Sequence, residues 1–234
     1  KKPQRMDKHI MSSSFSQLKS TFGEIRKYRQ MTRFLLARLL YNDGLITIFA
    51  SGGIYASGTF GFTFNEIFLF GIILNVTAGL GAFGLGFLDD ILGGKTTIQL
   101  SNIGLIIACL IAITTPNADL FFVNYPSIGI SFMLTGKMLF WIAGALIGVF
   151  AGPNQSASRS LMARFIPKEK ENEFFGFFAF SGKATAYVGP FLLGVITEVF
   201  NSQRLGIAVV AVLLGLGAIL LNGVNEDEGI AAAG

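Results

Sequence analysis

The sequence predicts an all-α membrane protein of six transmembrane helices, with almost no chain left over for a soluble domain. Of its 234 residues, 52% are hydrophobic and only 14% are charged, whereas about 25% are charged in an ordinary soluble domain. The apolar residues also form six runs long enough to cross a hydrocarbon core of about 30 Å. These runs lie near 34–57, 66–88, 97–115, 133–155, 174–198 and 205–224.

Two polar segments flank the transmembrane part, which we place at 34–224. Segment 1–33 is basic and is predicted to be cytoplasmic, and its apolar residues recur at helical spacing over 15–25. An interfacial amphipathic helix resting on anionic lipid and a basic linker that only sets the topology both account for this pattern. Segment 225–234 is predicted to be a short cytoplasmic tail.

The basic residues predict the orientation of the chain in the membrane. Ten of the eighteen Lys and Arg residues lie before residue 39, whereas the loops 58–65 and 116–132 contain none. The positive-inside rule therefore places both termini in the cytoplasm. We expect an integral multi-pass protein of the plasma (inner) membrane, with a vacuolar or other organelle membrane as the alternative. Nucleic acid is not an expected partner, because the basic residues are divided among loops and do not share one soluble face.

A short charged stretch, GFLDDILGGKT at 86–96, lies between the second and third apolar runs. Its GGKT ending resembles a phosphate-binding loop, but Asp89 stands where that loop requires a glycine. Asp89 and Asp90 have no third ligand nearby in the sequence, which argues against a metal site. The glycines permit a tight turn, and Asp90 lies near the start of the third helix, where a carboxylate interacts favourably with free backbone N–H groups.

This stretch resembles the signature loop of the major facilitator superfamily, which joins the second and third helices of a six-helix half. The pattern of that loop is Gly, three residues, Asp-Arg, one residue and Gly-Arg-Lys. Ile91 and Gly94 stand at its two Arg positions. The resemblance implies a switch loop whose contacts form in one conformational state and break in the other, with a plain charged turn as the alternative. The matching residues are Gly86, Asp90, Gly93 and Lys95, and with Asp89 they make up the predicted switch loop.

Three further stretches narrow the resemblance to the vacuole-effluxer branch of that superfamily. The similarity covers about residues 34–222 and is carried by ARLLYNDGLITIF (37–49), GPNQSASRSLMARFIP (152–167) and EFFGFFAFSGKATAYVGPFLLG (173–194). That branch includes fungal vacuolar amino-acid exporters, and a full member has twelve helices. The resemblance implies one half of a major facilitator-type bundle, the C-terminal one. The chain begins with Lys1 and not with Met, and we expect a fragment or a processed chain that lacks the N-terminal six-helix half.

Two ionisable residues lie at similar depth inside the predicted helices. Asp43 is about nine residues into the first helix and Lys183 is about ten residues into the fifth. Because a charge in hydrocarbon is costly, an Asp43–Lys183 ion pair is the simplest neutralisation. Such a pair is either purely structural or part of a pathway for a substrate or a proton. The predicted pathway residues are Tyr41, Asn42, Asp43, Asn75, Lys137, Asn154 and Lys183.

Glycine and proline interrupt the fourth and fifth predicted helices. A glycine recurs every four residues from Gly144 to Gly152, just before Pro153, and Gly189 precedes Pro190. Small residues let helices approach closely, and proline removes a helical hydrogen bond. We predict hinges at Gly152-Pro153 and at Gly189-Pro190, with ordinary tight packing as the alternative.

The resemblance implies secondary active transport of a small polar solute by alternating access, with amino-acid efflux as one candidate activity and a proton as a candidate coupling ion. The expected partners are the lipid bilayer, the missing half and the solute. A non-transporting membrane scaffold or receptor subunit is the alternative. No catalytic, metal or cofactor motif is found, and the single histidine, His9, lies outside the helices, so we do not expect an enzyme.

Overall fold

The computed structural model describes residues 28–116, 119–125 and 130–233, together with Gly23, but not the side chains of 119–125 and 130–134. Within these residues, six helical spans are long and apolar enough to cross a membrane. The prediction of an all-α membrane fold with six transmembrane helices is confirmed. The predicted interfacial helix over 15–25 lies outside the described residues, apart from Gly23.

The order of the elements follows the apolar runs, with a small hairpin added between the third and fourth spans. The helices are α1 (Arg29–Phe60), α2 (Phe64–Leu85), α3 (Leu88–Leu92), α4 (Gly94–Thr114), α5 (Gly136–Phe165), α6 (Glu171–Ala184), α7 (Val188–Phe200), α8 (Gln203–Asn222) and α9 (Glu226–Ala231). The strands are β1 (Asp119–Tyr125) and β2 (Ile130–Thr135). The six spans are α1, α2, α4, α5, the pair α6 and α7, and α8.

The fourth span extends further than hydropathy indicates. We predicted its end near residue 155, but α5 continues to Phe165. Its last turns combine Arg159 and Arg164 with the buried residues Leu161 and Phe165. The helical period of the apolar residues therefore continues beyond 155, although the mean hydropathy falls.

The fifth span consists of two helices, whereas a single helix was predicted over 174–198. α6 ends at Ala184, and α7 begins at Val188 after a turn. Gly189 and Pro190 therefore lie in the first turn of α7, where a proline removes no helical hydrogen bond. The break in the span comes just before the predicted hinge residues.

The spans pack mainly on α5 and α8. α2 lies against α5, α4 contacts both α5 and α8, and α8 also contacts α1 and α7. Glycines bring α2 and α5 close together, because a Cβ on Gly81 would collide with the Val149 carbonyl and one on Gly152 with the Ala78 carbonyl. Gly152 thus serves close packing, and α5 passes through Pro153 without a break. A hinge at Gly152-Pro153 remains a prediction.

Aromatic packing and the hairpin lie at the end of the bundle where α1 finishes and α5 begins. β1 and β2 pair in antiparallel fashion where the segment 116–132 was predicted as a loop. β2 continues to Thr135, beyond the predicted start of the fourth span at 133, and leads directly into α5. The rings of Phe60 and Phe70 stack on Phe140, with centroid distances of 4.7 and 5.0 Å. This packing joins the end of α1 to α2 and α5.

Candidate functional site

A cavity of about 410 Å³, lined by both polar and apolar residues, lies between α1, α5 and α6. Its volume falls within the range of about 300–1,000 Å³ that is typical of small-molecule sites. The polar side chains that line it are Arg38, Asn42, Gln155, Arg159 and Lys183. The cavity therefore brings together two of the predicted pathway residues, Asn42 and Lys183, and adds three polar residues that were not predicted.

Helical spacing explains why these side chains share one cavity. Arg38 and Asn42 are four residues apart on α1, and Gln155 and Arg159 are four residues apart on α5. Residues separated by four positions lie on the same face of a helix. From the sequence, Arg38 and Arg159 were predicted only to indicate the topology. Their spacing from the polar residues Asn42 and Gln155 is the signal that identifies them as part of a site.

Arg38 is held in place at the wall of the cavity. Its guanidinium carbon lies 3.6 Å from the centroid of the Phe178 ring, and its Nη1 donates a hydrogen bond to the Phe178 carbonyl at 3.2 Å. Asn42 Nδ2 donates to the Gly182 carbonyl at 3.1 Å. These contacts tie α1 to α6. They also place Arg38 and Asn42 beside Lys183, which is exposed in this bundle.

Asp43 points away from the cavity and is neutralised by a helix end. It is only 2% exposed, and its Oδ2 accepts a hydrogen bond from the backbone N–H of Gly189 at 2.8 Å. That N–H belongs to the first turn of α7, where free N–H groups and the helix dipole favour a carboxylate. No ion pair joins Asp43 to Lys183 within the described residues. The predicted pair is therefore wrong, because the break between α6 and α7 supplies the neutralising group.

Two other predicted pathway residues are buried between helices and do not line the cavity. Tyr41 is 1% exposed, and its hydroxyl lies 2.8 Å from Ser158 Oγ. Asn154 is fully buried, and its Nδ2 donates to Asn102 Oδ1 at 2.9 Å. These hydrogen bonds link α1 to α5 and α5 to α4. In this conformation both residues join helices, and a role in the pathway remains a prediction.

Asn75 and Lys137 also lie outside the cavity. Asn75 Nδ2 donates to the Gly71 carbonyl of its own helix at 2.8 Å. Lys137 forms an ion pair with Glu66 at 2.6 Å, between the first turns of α5 and α2. At 1.5 Å per residue, Lys137 lies about 33 Å along α5 from Arg159. Lys137 therefore does not share a site with Arg159, and Asn75 is not among the residues that line the cavity.

A second polar cluster lies at the C-terminal end of α5, the end opposite Lys137. Arg164 forms ion pairs with Asp89 of α3 and, at 3.1 Å, with Glu226 of α9. The Glu226 carboxylate in turn accepts hydrogen bonds from the backbone N–H groups of Gly94 at 3.0 Å and Lys95 at 2.9 Å. The predicted switch loop is thus connected to α5 and to the C-terminal tail at the start of α4.

The carboxylate that binds the free backbone N–H groups at the start of α4 belongs to Glu226. The prediction that Asp90 has this role is therefore wrong. Asp90 is exposed, and its side chain has no hydrogen-bond or ion-pair partner in the described part of the chain. Gly86 ends α2, and Gly93 forms the turn before α4 with a φ of +83°, which glycine adopts easily. The tail residue Glu226 was missed because more than a hundred residues separate it from the loop that it contacts.

Comparison with known proteins assigns the family. The family model described as "Vacuole effluxer Atg22 like" matches residues 1–234. The chain belongs to the vacuole effluxer Atg22-like family. This Atg22-like chain is 27% identical to the uncharacterized MFS-type transporter YxiO of Bacillus subtilis over 95% of its own length and 47% of that protein.

Fungal proteins are among the other relatives of this Atg22-like chain. Autophagy-related protein 22 of Candida glabrata is 26% identical over 88% of the chain and 38% of the fungal protein. Autophagy-related protein 22-1 of Aspergillus fumigatus is 26% identical over 94% of the chain and 35% of the relative. The chain therefore spans less than half the length of each of these three relatives. The predicted resemblance to the vacuole-effluxer branch of the major facilitator superfamily is confirmed.

Proposed function

We propose that this Atg22-like chain is the C-terminal half of a secondary active transporter, which moves a small polar solute by alternating access. In this proposal the cavity between α1, α5 and α6 faces a preceding six-helix half, and the solute binds between the two halves. The halves rock about this cavity to open it to each side of the membrane in turn. The chain spans less than half the length of each of the three relatives. This supports a protein that has a second half.

The exposure of charged residues within membrane spans carries the proposal. Arg159 and Lys183 are both exposed in this bundle, although they belong to the fourth and fifth spans. Lys183 lies about 18 Å along its helix from Glu171. A Lys or Arg side chain near the bilayer centre costs at least about 2.5–3.5 kcal/mol. The face that carries these charges is therefore covered by protein or water, as the face of a transport cavity is.

A non-transporting scaffold or receptor subunit, the alternative prediction, gives these charges no role. A scaffold gains stability from apolar or paired residues at the same positions, and unpaired cations in a membrane span oppose it. The observed cavity therefore favours transport.

The broken fifth span supplies a place for movement beside the cavity. Discontinuous helices commonly form the sites of secondary transporters, and the break at 185–187 follows directly after Lys183 and Ala184. We propose that α6 moves relative to α7 at this break. Asp43 keeps α7 attached to α1 during the movement, because its carboxylate binds the first turn of α7.

The ion pairs of Arg164 supply the conformational switch in this proposal. The side chains of Arg164 and Asp89 are 33% and 12% exposed. Ion pairs that solvent reaches are individually weak. Contacts of this strength break and re-form at small cost, so they favour one state without locking the protein in it.

Amino acids are the first solutes to test, because amino-acid efflux was the predicted activity. A proton is the proposed coupling ion, and Asp43 is its proposed acceptor. The Oδ1 atom of Asp43 has no hydrogen-bond partner among the described residues, so it is available to a proton. We place both termini in the cytoplasm and expect the plasma (inner) membrane, with an organelle membrane as the alternative.

Transport and access are tested together in the full-length protein reconstituted in proteoliposomes. Gln155 is exposed in the cavity, and Lys168 is exposed outside it. In a background without other cysteines, which in this chain requires Cys109→Ala, Gln155→Cys is expected to react with impermeant thiol reagents from either side during turnover. Lys168→Cys is expected to react from one side only. Radiolabelled solute flux is measured in the same vesicles. Labelling of Gln155→Cys from one side only, together with no flux of any solute tested, would contradict transport by alternating access.

A further inference from the structure

We propose that the solute is a small carboxylate of net negative charge, bound by Arg38, Arg159 and Lys183. This inference rests on the proposed transport function and specifies its substrate class. Organic acids and acidic amino acids belong to this class, whereas neutral amino acids such as leucine do not.

The charge of the cavity is the first argument. Three of its lining residues are cations, and none of the lining residues in the described bundle is an Asp or a Glu. Arg38, Arg159 and Lys183 line the same cavity from three different helices. Like charges gathered without a counter-ion are unfavourable in a membrane span, and a bound anion relieves the repulsion.

The three cations lie within about one helical turn of one another in depth. The Nη1 of Arg38 is 2.8 Å from the position of a Cβ on Gly182, the residue before Lys183. The Tyr41 hydroxyl, on the next turn of α1, lies 2.8 Å from Ser158 Oγ, and Ser158 directly precedes Arg159. The three cations are therefore grouped around one part of the cavity.

Arg38 is pre-organised to bind a carboxylate. Its stacking on the Phe178 ring and its hydrogen bond to the Phe178 carbonyl fix the plane of the guanidinium before any solute binds. A fixed guanidinium plane matches the two oxygens of a carboxylate, and it loses less entropy on binding than a free side chain does.

The two amide residues of the cavity complete the recognition. Asn42 lines the cavity and uses its Nδ2 to bind the Gly182 carbonyl, and its Oδ1 is an acceptor. Gln155 lies four residues before Arg159 on the same face of α5. Amide groups of this kind bind hydroxyl or ammonium groups, which small organic acids and amino acids carry beside their carboxylates.

The test compares solutes of different charge in proteoliposomes that contain the full-length protein. Radiolabelled glutamate and malate represent net-negative carboxylates, leucine and glutamine represent neutral amino acids, and inorganic phosphate represents an anion of another class. We expect saturable transport of glutamate or malate and little transport of the neutral amino acids. Transport of the neutral amino acids alone, or of phosphate alone, overturns the carboxylate assignment but leaves the transport function standing. No transport of any solute contradicts the proposed function itself.

Charge variants then test the three cations. Lys183→Gln and Arg159→Gln are expected to raise the KM for the carboxylate by about tenfold or more, because each removes a charge-assisted contact. Lys183→Arg and Arg159→Lys keep the charge and are expected to retain most of the affinity. Lys168→Gln removes an exposed charge outside the cavity and is the matched control.

The outcome for Arg38 separates anion binding from a structural role. Arg38→Lys keeps the positive charge but loses the fixed guanidinium plane, so the KM is expected to rise less than in Arg38→Gln, with similar thermal stability in both variants. An unchanged KM in all the charge-removing variants overturns the assignment of the site. A different outcome would be that all the Gln variants lose thermal stability to the same extent while their KM values stay unchanged. That result would show that acids of the preceding half neutralise the cations, and it too overturns the proposal.

Discussion

The carboxylate of Asp43 on α1 binds the backbone N–H of Gly189 in the first turn of α7, at a distance of 2.8 Å. The contact connects the single acid of the first span, which is buried, to the break in the fifth span. A Cβ on Gly189 would collide with the Thr47 hydroxyl, so the close approach of the two helices also requires glycine at this position. The break between α6 and α7 is therefore held against α1 by the Asp43–Gly189 hydrogen bond and by close packing at Gly189.

Substitution of Asp43 tests this contact. Asp43→Ala removes the hydrogen bond to α7 and is expected to lower the free energy of unfolding by about 1–2 kcal/mol. Asp43→Asn keeps an oxygen acceptor and is expected to lose less. The melting temperature of the full-length protein in detergent measures both effects.

Lys183→Ala provides the matched control for Asp43→Ala. The structure joins Lys183 to the cavity and not to Asp43, so the double variant is expected to melt at the temperature of Asp43→Ala alone. Recovery of stability in the double variant would show that the two charges neutralise each other after all.

The spans were predictable from sequence because a membrane helix needs only a long apolar run. The depth of Asp43 followed from the same pattern, but its partner did not. Hydropathy showed Gly189-Pro190 inside a continuous run, and side-chain types do not reveal a break that exposes backbone N–H groups. The nearest opposite charge, Lys183, was therefore taken as the partner.

The cavity was only partly predictable for a related reason. Asn42 and Lys183 stood out as polar residues in apolar runs, whereas Arg38 and Arg159 lay near the ends of runs, where basic residues normally indicate topology. The extension of α5 to Phe165 places Arg159 inside a span. Whether a residue near a boundary belongs to a loop or to a helix face depends on packing that sequence does not show.

The contacts of the predicted switch loop indicate different roles for its two adjacent acids, Asp89 and Asp90. Asp89→Asn removes an ion pair with Arg164, whereas Asp90→Asn alters an exposed side chain that has no partner among the described residues. We expect Asp89→Asn to reduce the rate of transport severalfold and Asp90→Asn to leave it nearly unchanged. Flux measurements in proteoliposomes, normalised to the amount of protein inserted, compare the two. An equal or larger loss for Asp90→Asn would return the switch role to Asp90.

Glycine substitutions on α2 test the close packing of α2 and α5. A Cβ on Gly81 collides with the Val149 carbonyl, whereas a Cβ on Gly79 meets no atom within 4 Å. Gly81→Ala is therefore expected to destabilise the protein by about 1–3 kcal/mol, as overpacking does. Gly79→Ala, two residues away on the same helix, is expected to have little effect. Similar melting temperatures for the two variants would mean that α2 and α5 are not in backbone contact at Gly81.

The orientation of the chain is tested by accessibility of introduced cysteines in intact cells. Ser57 is exposed near the end of α1, and Lys168 is exposed between α5 and α6, at the opposite end of the bundle. Because the basic loops predict a cytoplasmic location for Lys168, an impermeant maleimide is expected to label Ser57→Cys from outside. Lys168→Cys is expected to react only after the membrane is permeabilised. Cys109, the single cysteine of this chain, is buried. It is replaced by Ala in both variants, and the same protein without an introduced cysteine gives the background signal. Labelling of Lys168→Cys in intact cells, with Ser57→Cys protected, would reverse the orientation and place both termini on the outer side.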